Sequence, residues 1–150
     1  MDLSALTKPT RTSVPATVAR IALGVALVGA GVSHLTVARE EFQAQVPDWF
    51  PVDEDVTVLA SGVVEIVLGG SLVVLSRWKV AVGLVAAAFF VVIFPGNVGQ
   101  WIEGEDAFGL DTDAERLRRL FFQPLLVVWA IWSTGAWGPL VDRVRAWRHR

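Results

Sequence analysis

A carboxylate in hydrocarbon is expensive, yet Glu65 stands in the middle of the run Ser61-Gly-Val-Val-Glu-Ile-Val-Leu-Gly-Gly. An ionised side chain at that depth costs at least ~2.5 kcal/mol, so it must be protonated, paired or hydrated. Four more polar residues interrupt apolar surroundings: His34, Ser61, Asn97 and Gln123. Together these groups could hydrogen-bond a ligand or pass a proton. If His34 and Glu65 are close, each favours the charged form of the other, while desolvation favours the neutral pair. Two structural readings stand beside the functional one. Polar side chains commonly fix helix register in lipid, at ~0.6 kcal/mol each, and they also serve contacts between oligomer subunits.

Other chemistries are poorly supplied. The chain has no Cys, which excludes thiol exchange, thiolate metal sites and iron–sulfur ligation by its own residues. His34 and Glu65 alone do not make a zinc site, and His149 belongs to the C-terminal tail, so no metal is expected. No Ser or Asp stands at triad spacing to His34, and Gly29, Gly31, Gly69 and Gly70 fall inside apolar runs rather than in a phosphate loop. No catalytic residue is assigned. A formal charge of −2 and a pI near 5.6 leave no basic footprint, so nucleic acid is not an expected partner.

The elements that must position these groups are long and apolar. At 150 residues the chain makes one domain, and 53% hydrophobic residues with a mean hydropathy of +0.52 exceed what a soluble core of this size can hide. Four stretches, Val18–Val37, Val56–Leu75, Val80–Trp101 and Leu120–Trp137, approach the ~20 residues that cross a ~30 Å hydrocarbon layer. The expected fold is an all-α, membrane-embedded four-helix bundle. It comprises an N-terminal segment 1–17, a bundle 18–137 and a basic tail 138–150.

Four spans put both termini on one side, and the basic residues indicate which. Lys8, Arg11, Arg20, Arg77, Lys79 and the tail residues Arg143, Arg145, Arg148 and Arg150 outnumber Arg39, Arg116, Arg118 and Arg119 on the other side. Positive residues stay cytoplasmic, so both termini are expected there, in a multi-pass protein of the cell (inner or plasma) membrane. The first apolar stretch is long for a signal peptide and lacks a small-residue cleavage motif, so it reads as a retained span.

Counted along each helix, His34, Asn97 and Gln123 fall roughly 8–11 Å outward of the midplane, and Ser61 lies one turn outward of Glu65. One polar cluster could therefore hold all five. Ala22, Ala26, Ala30 and His34 recur every four residues, as do Ser61, Glu65 and Gly69, which predicts that the polar stripe is also the close-packing stripe. Pro95 should free a carbonyl near Asn97.

The outer loops carry signals of their own. Phe42, Val46, Trp49 and Phe50, with Pro47 and Pro51, suggest a short interfacial helix and rigid turn, either an aromatic anchor or a lid over a pocket. Their many acidic residues read as a solvated face. Thr112 followed by Glu115 is a capping-box pattern, so the fourth helix should begin outside the bilayer. Trp49, Trp101 and Trp137 read as interfacial anchors, with Trp78 and Trp147 doing the same on the cytoplasmic side.

Gly31-Val-Ser-His34, Val46-Pro47, Phe50-Pro51, Ser61-Gly62 with Glu65, Phe94-Pro95 with Asn97, and Arg119 with Gln123 together resemble the DoxX-like family of small four-helix membrane proteins, over residues 18–137. That resemblance implies an accessory membrane subunit of a quinone-linked oxidoreductase system, with a quinone as cofactor and a membrane or redox protein as partner. It also implies a polar intramembrane pocket at His34, Ser61, Glu65, Asn97 and Gln123. Phe89, Phe90 and Phe94 could line such a pocket. A non-enzymatic assembly factor or chaperone, and less readily a transporter of protons or small solutes, are the alternatives. A homo-oligomer would be needed for four helices to enclose a conduit.

Overall fold

A computed structural model of the chain describes residues 11–148; Lys8, His149 and Arg150, which the sequence assigns to the cytoplasmic flanks, lie outside them. The described chain is all-α. Helix α1 spans Val14–Leu35, α2 Arg39–Gln43, α3 Glu54–Val74, α4 Lys79–Glu103, α5 Asp113–Leu120, α6 Phe122–Thr134 and α7 Trp137–Arg148, with a 3₁₀ turn at Ser76–Trp78.

Three helical segments are long and apolar enough to cross a membrane: α1, α3, and α4 with the preceding turn. Their outward faces match a lipid environment. Val25, Val63, Val67 and Val92 are each more than half exposed, an apolar surface that would be a liability in water. The fourth expected stretch, Leu120–Trp137, is instead the 13-residue α6, flanked by breaks. At its start Phe121 closes α5, and Pro124 cannot donate a helical hydrogen bond back to Leu120. At its end Gly135 takes φ +72°, and Ala136 N–H closes onto the Ile131 carbonyl at 3.0 Å. Trp137 therefore opens α7 rather than ending α6.

Helix starts follow local chemistry. The Ser13 hydroxyl accepts from Ala16 N–H ahead of Pro15, and Asp53 accepts from the amides of Asp55 and Val56 at 3.0 and 3.1 Å. At α5 both halves of the Thr112–Glu115 capping box form, as expected from the sequence. The Thr112 hydroxyl, bonded to the Glu115 carboxylate at 2.7 Å, holds that group below its usual value.

The helices pack α1 on α3 most extensively, then α4 on α6 and α1 on α6, while α3 and α4, though consecutive, touch least of these neighbours. The apolar core joins Leu23, Leu27, Leu72, Val80, Phe90 and Ile131. Contact between α1 and α3 is backbone to backbone at two places. A Cβ on Gly69 would stand 2.5 Å from the Gly24 carbonyl, and one on Gly31 would stand 2.5 Å from the Gly62 carbonyl. Each pair needs glycine on both sides.

This corrects the expected packing stripe on α1, while Gly69 of the expected stripe on α3 does stand at the contact. Ala22 and Ala26 are exposed, and the close approach runs through Gly24 and Gly31. At 100° per residue the two stripes are neighbouring faces of one helix, and only glycine removes the side chain that separates backbones. Arg20 is also differently placed from its expected role as a flanking charge. It is buried in α1 and donates to the Leu72 carbonyl and to Ser76 Oγ, so its charge meets the C-terminal end of α3.

Candidate functional site

Between α1, α3, α4 and α6 lies a cavity of about 490 Å³, within the ~300–1,000 Å³ range of small-molecule sites. His34, Ser61, Glu65, Asn97 and Gln123 all line it. Four are buried; Ser61 is half-buried and makes no side-chain hydrogen bond among the described residues. The other four form two separate pairs.

The first pair joins α1 to α3. His34 Nδ1 lies 2.8 Å from the Ala30 carbonyl and 3.0 Å from Glu65 Oε2. A carbonyl only accepts, so Nδ1 carries the proton and donates to Ala30, four residues back in the helix. Glu65 Oε2 then sits beside that N–H without one directed at it and has no other hydrogen-bond partner. The imidazole Nε2 has no protein partner among the described residues. The second pair joins α4 to α6: Asn97 Nδ2 donates to Gln123 Oε1 at 3.0 Å, and Gln123 Nε2 donates to the Phe90 carbonyl at 2.6 Å. That acceptor precedes by one residue the Val91 carbonyl that Pro95 leaves without its helical donor.

The segment between α2 and α3 roofs one end of the cavity. After α2 the chain turns through Gln45, Pro47, Trp49 and Phe50, all of which line the cavity. Two glycines of α4 seat it: a Cβ on Gly96 would stand 2.6 Å from the Gln45 carbonyl, and one on Gly99 would stand 2.8 Å from Pro47 Cγ. Of the two expectations for this segment, a lid over a pocket describes where its side chains go, while Trp49 still presents an exposed ring. Among the phenylalanines of α4, Phe90 lines the cavity; Phe89 packs against the core and Phe94 faces a second depression with Trp49.

The roof is tied down by aromatic and ionic contacts. The His34 imidazole stacks on Phe42 with centroids 3.5 Å apart and planes 15° apart, and Phe42 meets Phe108 edge-on at 4.7 Å. Phe108, at φ +58°, donates its N–H to Glu41, which joins the α4–α5 loop to α2. Arg39 pairs with Asp55, which also accepts from Gln43. Buried Arg116 pairs with Asp113 and Asp106 and donates to the Leu110 carbonyl; those hydrogen bonds, Asp113 first, hold its guanidinium above its usual value. Several of the acidic loop residues are thus ion-pair partners and not only solvating charges.

Sequence reasoning missed Arg119. It stands there as one of several loop cations and, with Gln123, in the motifs behind the DoxX-like resemblance, but not among the expected pocket residues; it is half-buried and lines the cavity. Its Nη1 donates to Oε1 of the buried Gln100 at 3.1 Å, and its guanidinium lies 4.7 Å from the centre of the Phe108 ring. The available signal was its place four residues before Gln123, on the same helical face. Among the described residues no three His, Asp or Glu side chains stand close enough together to hold a metal ion.

Among known families, the model of a domain of unknown function, DUF8561, matches residues 23–134. The chain belongs to that family. This corrects the resemblance to the DoxX-like proteins. The motifs behind it are short combinations of small, polar, Pro and Phe residues in and beside apolar helices, which membrane helices produce readily. No curated protein and no solved structure matches the chain.

Proposed function

We propose that this DUF8561 member is a multi-pass protein of the cell membrane that binds a lipophilic small molecule with a polar head between its helices. In this reading α6, continued outward by α5, is a fourth span, both termini are cytoplasmic, and the roof lies on the outer face. Asp113 to Thr134 form two helices joined at one residue; the apolar part from Leu120 rises ~22 Å at 1.5 Å per residue, a short span against ~30 Å, with the charged α5 at the membrane surface. The distribution of Lys and Arg supports the orientation.

One observation carries the binding reading: a cavity of ligand size is polar at its roofed end and apolar at its floor. His34, Glu65, Asn97, Gln123 and Arg119 stand towards the roof, whereas Leu23, Leu27 and Leu126 line the deeper part. From His34 to Leu23 the cavity follows α1 over 11 residues, ~16 Å. Asn97 with Gln123 and His34 with Glu65 meet across the bundle, but the space between the two pairs is open, and among the described residues neither Ser61 Oγ nor His34 Nε2 has a hydrogen-bond partner facing it. A hydrogen-bond-accepting head suits the Ser61 hydroxyl and the Arg119 guanidinium, both of which line the cavity, and a quinone is one molecule that carries such a head. The oxidoreductase partner implied by the DoxX-like resemblance has no support in this chain now that the resemblance is replaced.

Mass spectrometry of the protein purified gently from its own membrane tests the reading. Wild type should carry a stoichiometric amphiphile, and Ala30→Phe, which projects a ring into the cavity, should lose it. A wild-type protein that carries no small molecule but holds other membrane proteins stably would replace this reading with that of an assembly factor.

A further inference from the structure

We infer that the cavity selects a single-chain amphiphile with an acidic head, a carboxylate or phosphate, and that Arg119 is the residue that recognises it. The inference rests on the binding reading above and narrows the head group.

Most arginines of the outer segments are satisfied by carboxylates. Arg39 pairs with Asp55, Arg116 pairs with Asp106 and Asp113, and Arg118 lies 3.9 Å from Glu115. Arg119 has no carboxylate within ion-pair reach among the described residues, although the adjoining loop is rich in them. Its contacts are a neutral amide oxygen, Gln100 Oε1, and the face of Phe108. Both fix the guanidinium plane without neutralising it, leaving donors of a group built for forked contact with carboxylate or phosphate.

Charge balance inside the cavity points the same way. His34, Glu65 and Arg119 are the titratable residues that line it. With His34 and Glu65 both charged or both neutral, the lining carries one net positive charge, on Arg119; with Glu65 alone ionised the sum is zero, but Glu65 then lies beside His34 and outside ion-pair reach of Arg119. An anionic head removes that imbalance, and a neutral head does not. Of the carboxylates on elements packed around the roof, Asp55 is occupied with Arg39 and Gln43, Glu41 with the Phe108 amide, and Asp106 and Asp113 with Arg116; Glu40, Asp48, Glu103 and Glu105 are exposed and, among the described residues, outside ion-pair reach of Arg119. Below the head, the Leu23, Leu27 and Leu126 floor accepts one alkyl chain.

The test compares ligands that share a tail, bound to the full chain in phosphatidylcholine nanodiscs: palmitate, hexadecyl phosphate and hexadecanol, with decylubiquinone as the neutral alternative. At least one acidic ligand should bind about tenfold or more tightly than hexadecanol, the worth of one charge-assisted contact. Which acid binds more tightly identifies the head. Arg119→Gln should abolish the preference while keeping hexadecanol binding, which also reports that the variant is folded, and Arg119→Lys should retain part of it. Equal binding of acid and alcohol, preference for the quinone, or an acid preference that survives Arg119→Gln would overturn the inference and leave the binding reading intact. Failure of all four ligands to bind wild type would overturn the binding reading itself.

Discussion

Glu65 Oε2 lies 3.0 Å from Nδ1 of His34, and the proton on that nitrogen is directed to the Ala30 carbonyl. The two side chains are therefore close and weakly committed to each other, which fits groups that hold a site open better than groups that staple two helices.

The coupling between them should accordingly be small. In a double-mutant cycle with His34→Ala and Glu65→Leu, reversible unfolding in mixed micelles should give an interaction energy of about 0.6–1.7 kcal/mol, the range for polar contacts between membrane helices. A coupling of ~3 kcal/mol or more would instead identify a tightly ionised buried pair.

Adjacent glycines on α3 should respond oppositely to alanine. Gly69→Ala places a Cβ 2.5 Å from the Gly24 carbonyl and should destabilise by about 1–3 kcal/mol. Gly70 has nothing within 4 Å of the same added atom, so Gly70→Ala should be neutral or stabilise by up to about 1 kcal/mol through helix propensity. Equal effects in the two variants would contradict the backbone contact.

The start of α5 should loosen in acid. The Glu115 carboxyl titrates below its reference value of 4.5 because the Thr112 hydroxyl and amide donate to its charged form. A depressed folded-state value means the contribution is complete above pH 4.5 and is lost as pH falls through that lower value. Amide exchange at Glu115 and Arg116, corrected for intrinsic rates, should speed up over that window in wild type. Glu115→Gln should show no such step.

Orientation can be read without background labelling because the chain has no Cys. Single cysteines at exposed Val37 and Glu105 should react with an impermeant maleimide in intact cells, and one at exposed Arg77 only after permeabilisation. The reverse pattern would invert the proposed topology.

Much of this molecule is visible in its sequence, and what is hidden has identifiable causes. The long apolar helices follow from composition, the α5 cap from two residues three apart, and the five polar residues from their cost in lipid. The glycine contacts are hidden because Ala and Gly both count as small, so the stripe through Ala22 and Ala26 looks as good as the one through Gly24 and Gly31 until backbones are placed. Arg20 and Arg119 are hidden for a related reason. A charge near a helix end counts towards topology whether its long side chain reaches water or folds inward, and only neighbours remote in sequence, Leu72 for one and Gln100 for the other, decide that.

The paired glycines of α1 and α3 also bear on how freely the interior can evolve. With Gly24 against Gly69 and Gly31 against Gly62, two steric keys seven residues apart dictate the alignment of this hairpin, and sliding by one position would drive a side chain into a peptide group. His34 and Glu65 are thus delivered to the same depth by residues that take no part in any chemistry. The polar positions are relieved of architectural duty, and selection can retune them for a different guest while the scaffold stays as it is.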